Sequence, residues 1–223
     1  MIWERDNGLK FECRDETTDW NTVNAAVGED EYGLGNIHMK GKLVFDVGAH
    51  IGSVGVWCAW RGARVICVEP IPENVEMSHL NVRLNACTDR VIVVPQAAGA
   101  EGAEITILYG FDSNETERAH AFIGNIGGAT GHAPSKTAVV PAASLSGMIQ
   151  TYGIPDIVKL DCEGGEWAWL AEPEITLVPL IVGEWHPTDG HTAKDVASLL
   201  GGTHAVEFTG PIAGPGGFRA VKR

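Results

Sequence analysis

Short apolar runs that stop at a polar or charged residue recur along this chain, and most are followed by a helical pattern. Leu43-Val44-Phe45 ends at Asp46, passes Val47-Gly48-Ala49-His50-Ile51-Gly52 and enters a second apolar segment from Ser53 to Trp60. This reads as a buried strand, a tight turn and a helix. Gly48 admits a backbone conformation closed to other residues, and Gly52 lets the helix start sit close to a ligand or to the sheet. Strand Arg64–Val68 leads through Glu69-Pro70 into helix Glu73–Asn85, and strand Val91–Val94 reaches Pro95-Gln96-Ala97. Further on, helix Ser144–Tyr152 precedes strand Ile157–Leu160, which runs into Asp161-Cys162-Glu163-Gly164-Gly165 and helix Glu166–Leu170. Strand Leu180–Gly183 runs into Glu184-Trp185-His186-Pro187, and helix Ala193–Leu200 follows. Ala205–Phe208 and Phe218–Val221 flank a Gly- and Pro-rich stretch that suits an antiparallel hairpin. Alternation with short, right-handed crossovers predicts a doubly wound, Rossmann-like α/β sheet.

The alternation breaks once. Ile105–Tyr109 reads as a strand and Val139–Val140 as part of another, with residues 111–136 between them polar and glycine-rich. An unpatterned insertion of that length is expected to be a substrate loop, with Asn125, Gly127 and Gly128 as acceptor contacts. Residues 1–40 are mixed and acidic. They hold an expected helix, Asp19–Val27, capped by Asp19, and a bend at Tyr32-Gly33. The chain therefore divides into an N-terminal cover or lid, 1–40, and one α/β domain, 41–223, carrying the insertion.

Composition narrows the function classes. At 223 residues, with 44% hydrophobic and 20% charged, one domain with a real core is the natural count. A formal charge of −13 argues against a nucleic-acid partner, which needs clustered Lys and Arg. Five cysteines without a CxxC point to a reducing compartment. No signal-peptide core and no membrane-length apolar run are visible, so a cytoplasmic protein with no membrane partner is expected.

Candidate chemistry collects at the carboxyl ends of the expected strands: Asp46, Glu69, Gln96, Asp161 and Glu184. Ligands of open α/β sheets bind outside that edge. Glu69, at the end of the second strand, is placed to take the ribose hydroxyls of an adenosine, which fits NAD or S-adenosylmethionine (SAM). The NAD fingerprint fails, because its later glycines would fall on His50 and Ser53. SAM has no pyrophosphate to approach, and its ammonium and sulfonium favour nearby acids such as Asp46. SAM is preferred.

Phe45-Asp46-Val47-Gly48-Ala49-His50-Ile51-Gly52, then Val68-Glu69-Pro70 with Asn81 and Asn85, then Val158-Lys159-Leu160-Asp161-Cys162-Glu163-Gly164, resembles the FkbM family of SAM-dependent methyltransferases. Position 50 is commonly Asn in that pattern, so His50 is a departure. The resemblance implies the class I methyltransferase fold, a seven-stranded sheet, mostly parallel with an antiparallel final strand. It also implies methyl transfer, most often to a hydroxyl oxygen. Cofactor contacts are expected from Asp46, Gly48, Ala49, His50, Ile51, Gly52, Ser53, Glu69, Pro70, Gln96, Ala97 and Asp161.

A hydroxyl acceptor must lose its proton. His186 is the expected base, oriented by Glu184, with Asp161 and Glu163 as further catalytic candidates and Trp185 against the acceptor. These groups are also ligand types for Mg²⁺ or Mn²⁺. The metal-free version is preferred and no metal ligand is assigned, because methyl transfer needs no Lewis acid once the acceptor is aligned. Lys159, on the Asp161 side of its strand, is expected to pair with that acid or meet an anionic group. The expectation is a SAM-dependent methyltransferase acting on oxygen of a small molecule or sugar. The alternatives are a nicotinamide-dependent oxidoreductase and a non-catalytic SAM-binding protein.

Overall fold

In the computed structural model, residues 1–109, 136–210 and 215–223 are described. The acceptor contacts expected of Asn125, Gly127 and Gly128 lie outside them. The chain opens with a hairpin that the sequence pattern did not reveal, β1 (Ile2–Glu4) against β2 (Lys10–Glu12). Helix α1 (Asp19–Val23) then widens into a turn of π type, Asn24–Gly28. Asp19 is not its cap. That position is Thr18, and the Asp19 carboxylate instead accepts from the Arg14 amide at 2.9 Å and from the Arg14 guanidinium at 2.8 Å.

From residue 43 the expected alternation is present. β3 (Leu43–Val47), α2 (Ser53–Trp60), β4 (Arg64–Val68), α3 (Pro72–Leu84) and β5 (Val91–Val94) follow in order. Three strands then leave the main sheet: β6 (Ala97–Ala98), β7 (Glu104–Tyr109) and β8 (Lys136–Ala143). They form a small sheet of their own in the order β6-β8-β7. The chain returns through α4 (Leu145–Tyr152), β9 (Ile157–Leu160), α5 (Glu166–Leu170), β10 (Leu180–Trp185), α6 (Ala193–Leu200), β11 (His204–Thr209) and β12 (Gly216–Lys222).

The main sheet has seven strands in the order β11-β12-β10-β9-β3-β4-β5. β5, β4, β3, β9 and β10 run parallel, and β12 is antiparallel to both β10 and β11, between which it lies. The central strands are buried on both faces, as continuous apolar runs in a parallel sheet require. Alternation splits them between two cores. Val44, Val65 and Ile157 pack with α2, α3 and the N-terminal hairpin, whereas Phe45, Ile66 and Val158 pack with α4, α5 and α6. Asn81 of α3 and Asn85 just beyond its end bind the hairpin backbone, accepting from Glu12 at 2.7 Å and Lys10 at 3.0 Å. Among the described residues, no helix is long and apolar enough to cross a membrane.

Candidate active site

The turn after β3 is held by contacts within the protein. Gly48 has φ +74°, and a Cβ there would lie 1.8 Å from the carbonyl oxygen of Asp161. Gly52, at φ +83°, is crowded less severely by Ser78 of α3, whose hydroxyl would be 2.7 Å from a Cβ. The two glycines thus let the turn approach the end of β9 and let α2 approach α3. Asp46 is fully buried under the turn, where it accepts from the Gly55 amide at 2.8 Å and pairs with Lys159 Nζ at 3.3 Å. Lys159 also donates to the Gly48 carbonyl at 2.7 Å and stands 3.9 Å from Asp161. Burial works against its charge, but Asp46 and Asp161 carry its pKa above the ordinary lysine value. Its first partner is therefore Asp46 rather than Asp161. Asp46, Ala49, Ile51, Gly52 and Ser53, all expected as cofactor contacts, form the support of the turn and do not line the cavity above it.

That cavity, about 360 Å³, opens at the carboxyl ends of β3, β4, β9 and β10. Of the residues singled out from the sequence, Gly48, His50, Glu69, Pro70, Gln96, Ala97, Asp161, Glu163 and Glu184 line it. Glu69 is buried; it accepts from the amides of Ile71 at 3.0 Å and His50 at 2.8 Å, and from the Asn74 side chain at 3.2 Å. A carboxylate offers about four acceptor positions, so these three bonds leave one for a ligand hydroxyl. Burial pushes the Glu69 pKa up to about 7, with the three donors opposing. His50 adopts φ +52° to place its amide on Glu69. Burial pushes its imidazole down to about 4, and among the described residues neither ring nitrogen has a hydrogen-bond partner. The Asp19 carboxylate faces Nε2 at 3.4 Å. A neutral, unsatisfied imidazole beside a spare carboxylate position fits the hydroxyl groups of an adenosine ligand.

The N-terminal segment, expected from the sequence as a cover or lid, supplies a wall of the cavity. Asn21, Thr22, Ala25, Glu31 and Tyr32 line the cavity. The Tyr32 hydroxyl donates to Asp161 at 2.7 Å, and Arg14 donates to Asn74, the partner of Glu69, at 2.8 Å. Tyr32-Gly33 was legible as a bend, but no local pattern tells which strand end a tyrosine will meet.

On the other side the acids crowd. Glu163, at φ +55°, faces His186 Nε2 at 3.3 Å. Glu166, which the sequence reading passed over, is fully buried; it accepts from the His186 amide at 2.6 Å and faces Nδ1 at 3.1 Å. Glu166 rather than Glu184 therefore orients this histidine. Burial lowers the pKa of His186, but the bond to Glu166 and the charges of Glu166, Glu163 and Asp161 prevail and raise it to about 9. An imidazolium has no lone pair with which to take a proton, so the base role expected of His186 does not fit this geometry. Burial and the Asp161 charge push Glu184 up to about 7, with His186 opposing. Asp161, Glu184 and His186 each bring a side-chain donor atom within 4.8 Å of the others. Trp185, expected against the acceptor, is 2% exposed and sits in the α4–α6 core, because alternation along β10 turns it away from Glu184.

The model of the methyltransferase FkbM domain matches residues 46–205. The chain belongs to the FkbM methyltransferase family. Its cofactor is accordingly SAM, and the nicotinamide alternative falls. Solved structures agree in fold. A precorrin-6y C5,15-methyltransferase from Geobacter metallireducens GS-15 superposes with TM-score 0.53 at 14% identity, covering 96% of this chain and 94% of that one. A putative rRNA-methylase from Clostridium thermocellum gives 0.52 at 12%, covering 88% and 94%. In this FkbM protein, the strands β5-β4-β3-β9-β10, with the antiparallel β12 beside β10, are thus the methyltransferase sheet, and the cavity at their carboxyl ends is the candidate cofactor site.

Proposed function

We propose that this FkbM methyltransferase moves a methyl group from SAM to a hydroxyl oxygen of a polar small molecule or sugar, with Glu184 as the proton acceptor. One observation carries the reading: Glu184 stands on a wall common to two cavities. The second, about 380 Å³, shares Glu31, Tyr32 and Glu184 with the first and continues past Gly183, Thr209, Gly217 and Arg219. Beside Tyr32, Pro215 and Phe218, the Glu31 and Glu184 carboxylates, the Thr209 hydroxyl and the Arg219 guanidinium offer hydrogen-bond partners to a hydroxyl-bearing acceptor. The two solved neighbours carry different acceptors in their names, so the acceptor is argued from this chain alone.

When bound, SAM supplies an electrophilic methyl on a positively charged sulfur. Glu69 and the His50 ring would hold the ribose hydroxyls, and Gly48, Pro70, Gln96 and Ala97 would bound the rest of the cofactor. Asp161, fixed by Tyr32 and near Lys159, puts negative charge where a cationic ligand is favoured. Glu184, with a pKa raised to about 7, is matched to accept a hydroxyl proton near neutrality. His186, held as a cation, balances the carboxylates around it.

The test is turnover. Chelator-treated protein is incubated with SAM and a panel of sugars, polyols, amines and carbon acids, and the demethylated product and the methylated atom are identified by mass spectrometry and NMR. Methyl ethers on hydroxyl acceptors are expected. Transfer to nitrogen or carbon only, or restoration of activity only by added divalent metal, would overturn the reading. SAM binding without turnover on any acceptor would favour the non-catalytic alternative.

A further inference from the structure

Glu166 is a fully buried carboxylate whose capacity is used up by one neighbourhood. Oε1 accepts from the His186 amide at 2.6 Å and faces the His186 ring at 3.1 Å; Oε2 accepts from the Gly164 amide at 2.9 Å and from Cys162 Sγ at 3.7 Å. Four contacts fill about four acceptor positions, so none is left for cofactor or acceptor. Whatever Glu166 does for chemistry, it does through its partners. Those partners lie on two loops, one after β9 and one after β10, and the Trp167 indole adds a third tie by donating to the His186 carbonyl at 2.8 Å.

The ring contacts also specify a protonation state. Nδ1 faces the Glu166 carboxylate and Nε2 faces Glu163 at 3.3 Å, so each nitrogen meets an acceptor that offers no proton. Both nitrogens can be satisfied only if both carry hydrogen. The groups that face the ring are Glu166 from α5, Glu163 and Asp161 from the stretch after β9, and Glu184 from β10. All are acids.

We propose that Glu166 is a positioning residue for methyl transfer: it clamps the two loops together and holds His186 as a cation beside Glu184, which keeps that carboxylate able to accept a proton near neutrality. This rests on Glu184 being the proton acceptor. Without the cation, Glu184 would stand among Asp161 and Glu163 uncompensated, and its ionised form would be disfavoured.

The experiment reads the histidine first and the reaction second. The ring of His186 is followed by NMR in histidine-labelled, chelator-treated protein, its signal assigned by its loss in His186→Gln. In the unsubstituted protein it should titrate above about 8, against about 6.5 for a free histidine. Glu166→Gln removes the charge and keeps an oxygen for only one of the two backbone amides, and should lower that titration by roughly two units or more, to below the value of about 7 held by Glu184. The acid limb of the pH profile of kcat/KM should move upward in the same variant, with acceptor KM nearly unchanged. Titration of His186 near 6.5 in the unsubstituted protein overturns the proposal, and so does an unmoved titration in Glu166→Gln. A lowered His186 titration with an unmoved acid limb would leave the clamp standing and sink Glu184 as the proton acceptor. Should Glu166→Gln fail to fold, the unsubstituted titration decides alone.

Discussion

The two halves of the candidate site are built differently. The half around β3 and β4 is made mostly with backbone amides: Gly48 and Ala49 donate to the Val68 carbonyl, and Glu69 binds the amides of Ile71 and His50, with Arg14 and Asp19 reaching Asn74 and His50 from the N-terminal segment. The half around β9 and β10 is made of charged side chains that face one another. Tyr32 reaches Asp161 from the N-terminal segment, and Glu166 reaches His186 across 20 residues of chain. One half is a rigid receptor, suited to a cofactor common to a whole family. The other is a balance of charges, in which each acid depends on its neighbours and which suits proton transfer.

The sharpest way to break this contrast is at the point where the halves meet. Gly48 touches the end of β9, and a methyl group there would overlap the Asp161 carbonyl. Gly48→Ala should therefore cost on the order of 3 kcal/mol or more in unfolding free energy and abolish measurable SAM binding. Denaturant melts and calorimetry check it; near-normal stability would mean the halves are not rigidly joined.

Next in size are two substitutions that should separate the halves. Glu184→Gln is expected to lower kcat by about 10²–10⁴-fold while SAM affinity stays nearly the same. Glu69→Gln is expected to do the reverse, weakening SAM binding about tenfold or more with kcat at saturating cofactor largely kept. If both variants changed the same constant, steady-state kinetics and calorimetry would show that the site does not divide in this way.

The smallest expected effect is a pH dependence of the cofactor half. The Glu69 pKa is raised to about 7 before a ligand arrives, and a hydroxyl donated to it favours the ionised form. Binding of SAM or its demethylated product should then tighten as pH rises through 7 and release protons below it. Calorimetry in two buffers of different ionisation enthalpy measures the release. Proton uptake instead would show that Glu69 is not the hydroxyl acceptor.

Much of this was legible in the sequence. Apolar runs that stop at acids located β3, β4, β9 and β10 to within a few residues, because a strand buried on both faces must be apolar throughout and stop where its polar ligand edge begins. Glycines in left-handed turns marked the β3 turn, although their reason turned out to be the close approach of β9 and α3 rather than of a ligand. Glu69 and the acids after β9 and β10 were found because sequence position within a βα unit fixes the edge of the sheet at which a residue lies.

What the sequence could not determine is which acid meets which partner. Asp161, Glu163, Glu166 and Glu184 are chemically alike as letters, and only the packing of two loops made Glu166 the buried partner of His186 and left Glu184 facing both cavities. The same holds for Asp46, which pattern alone could not distinguish from a cofactor ligand until Lys159 was found beside it under the turn. Local pattern determines the strands, their order of appearance and the edge where ligands bind. The protonation states of His186, Glu184 and Glu69 depend on burial and on charges a few ångströms away across the chain, and those distances exist only in the folded protein.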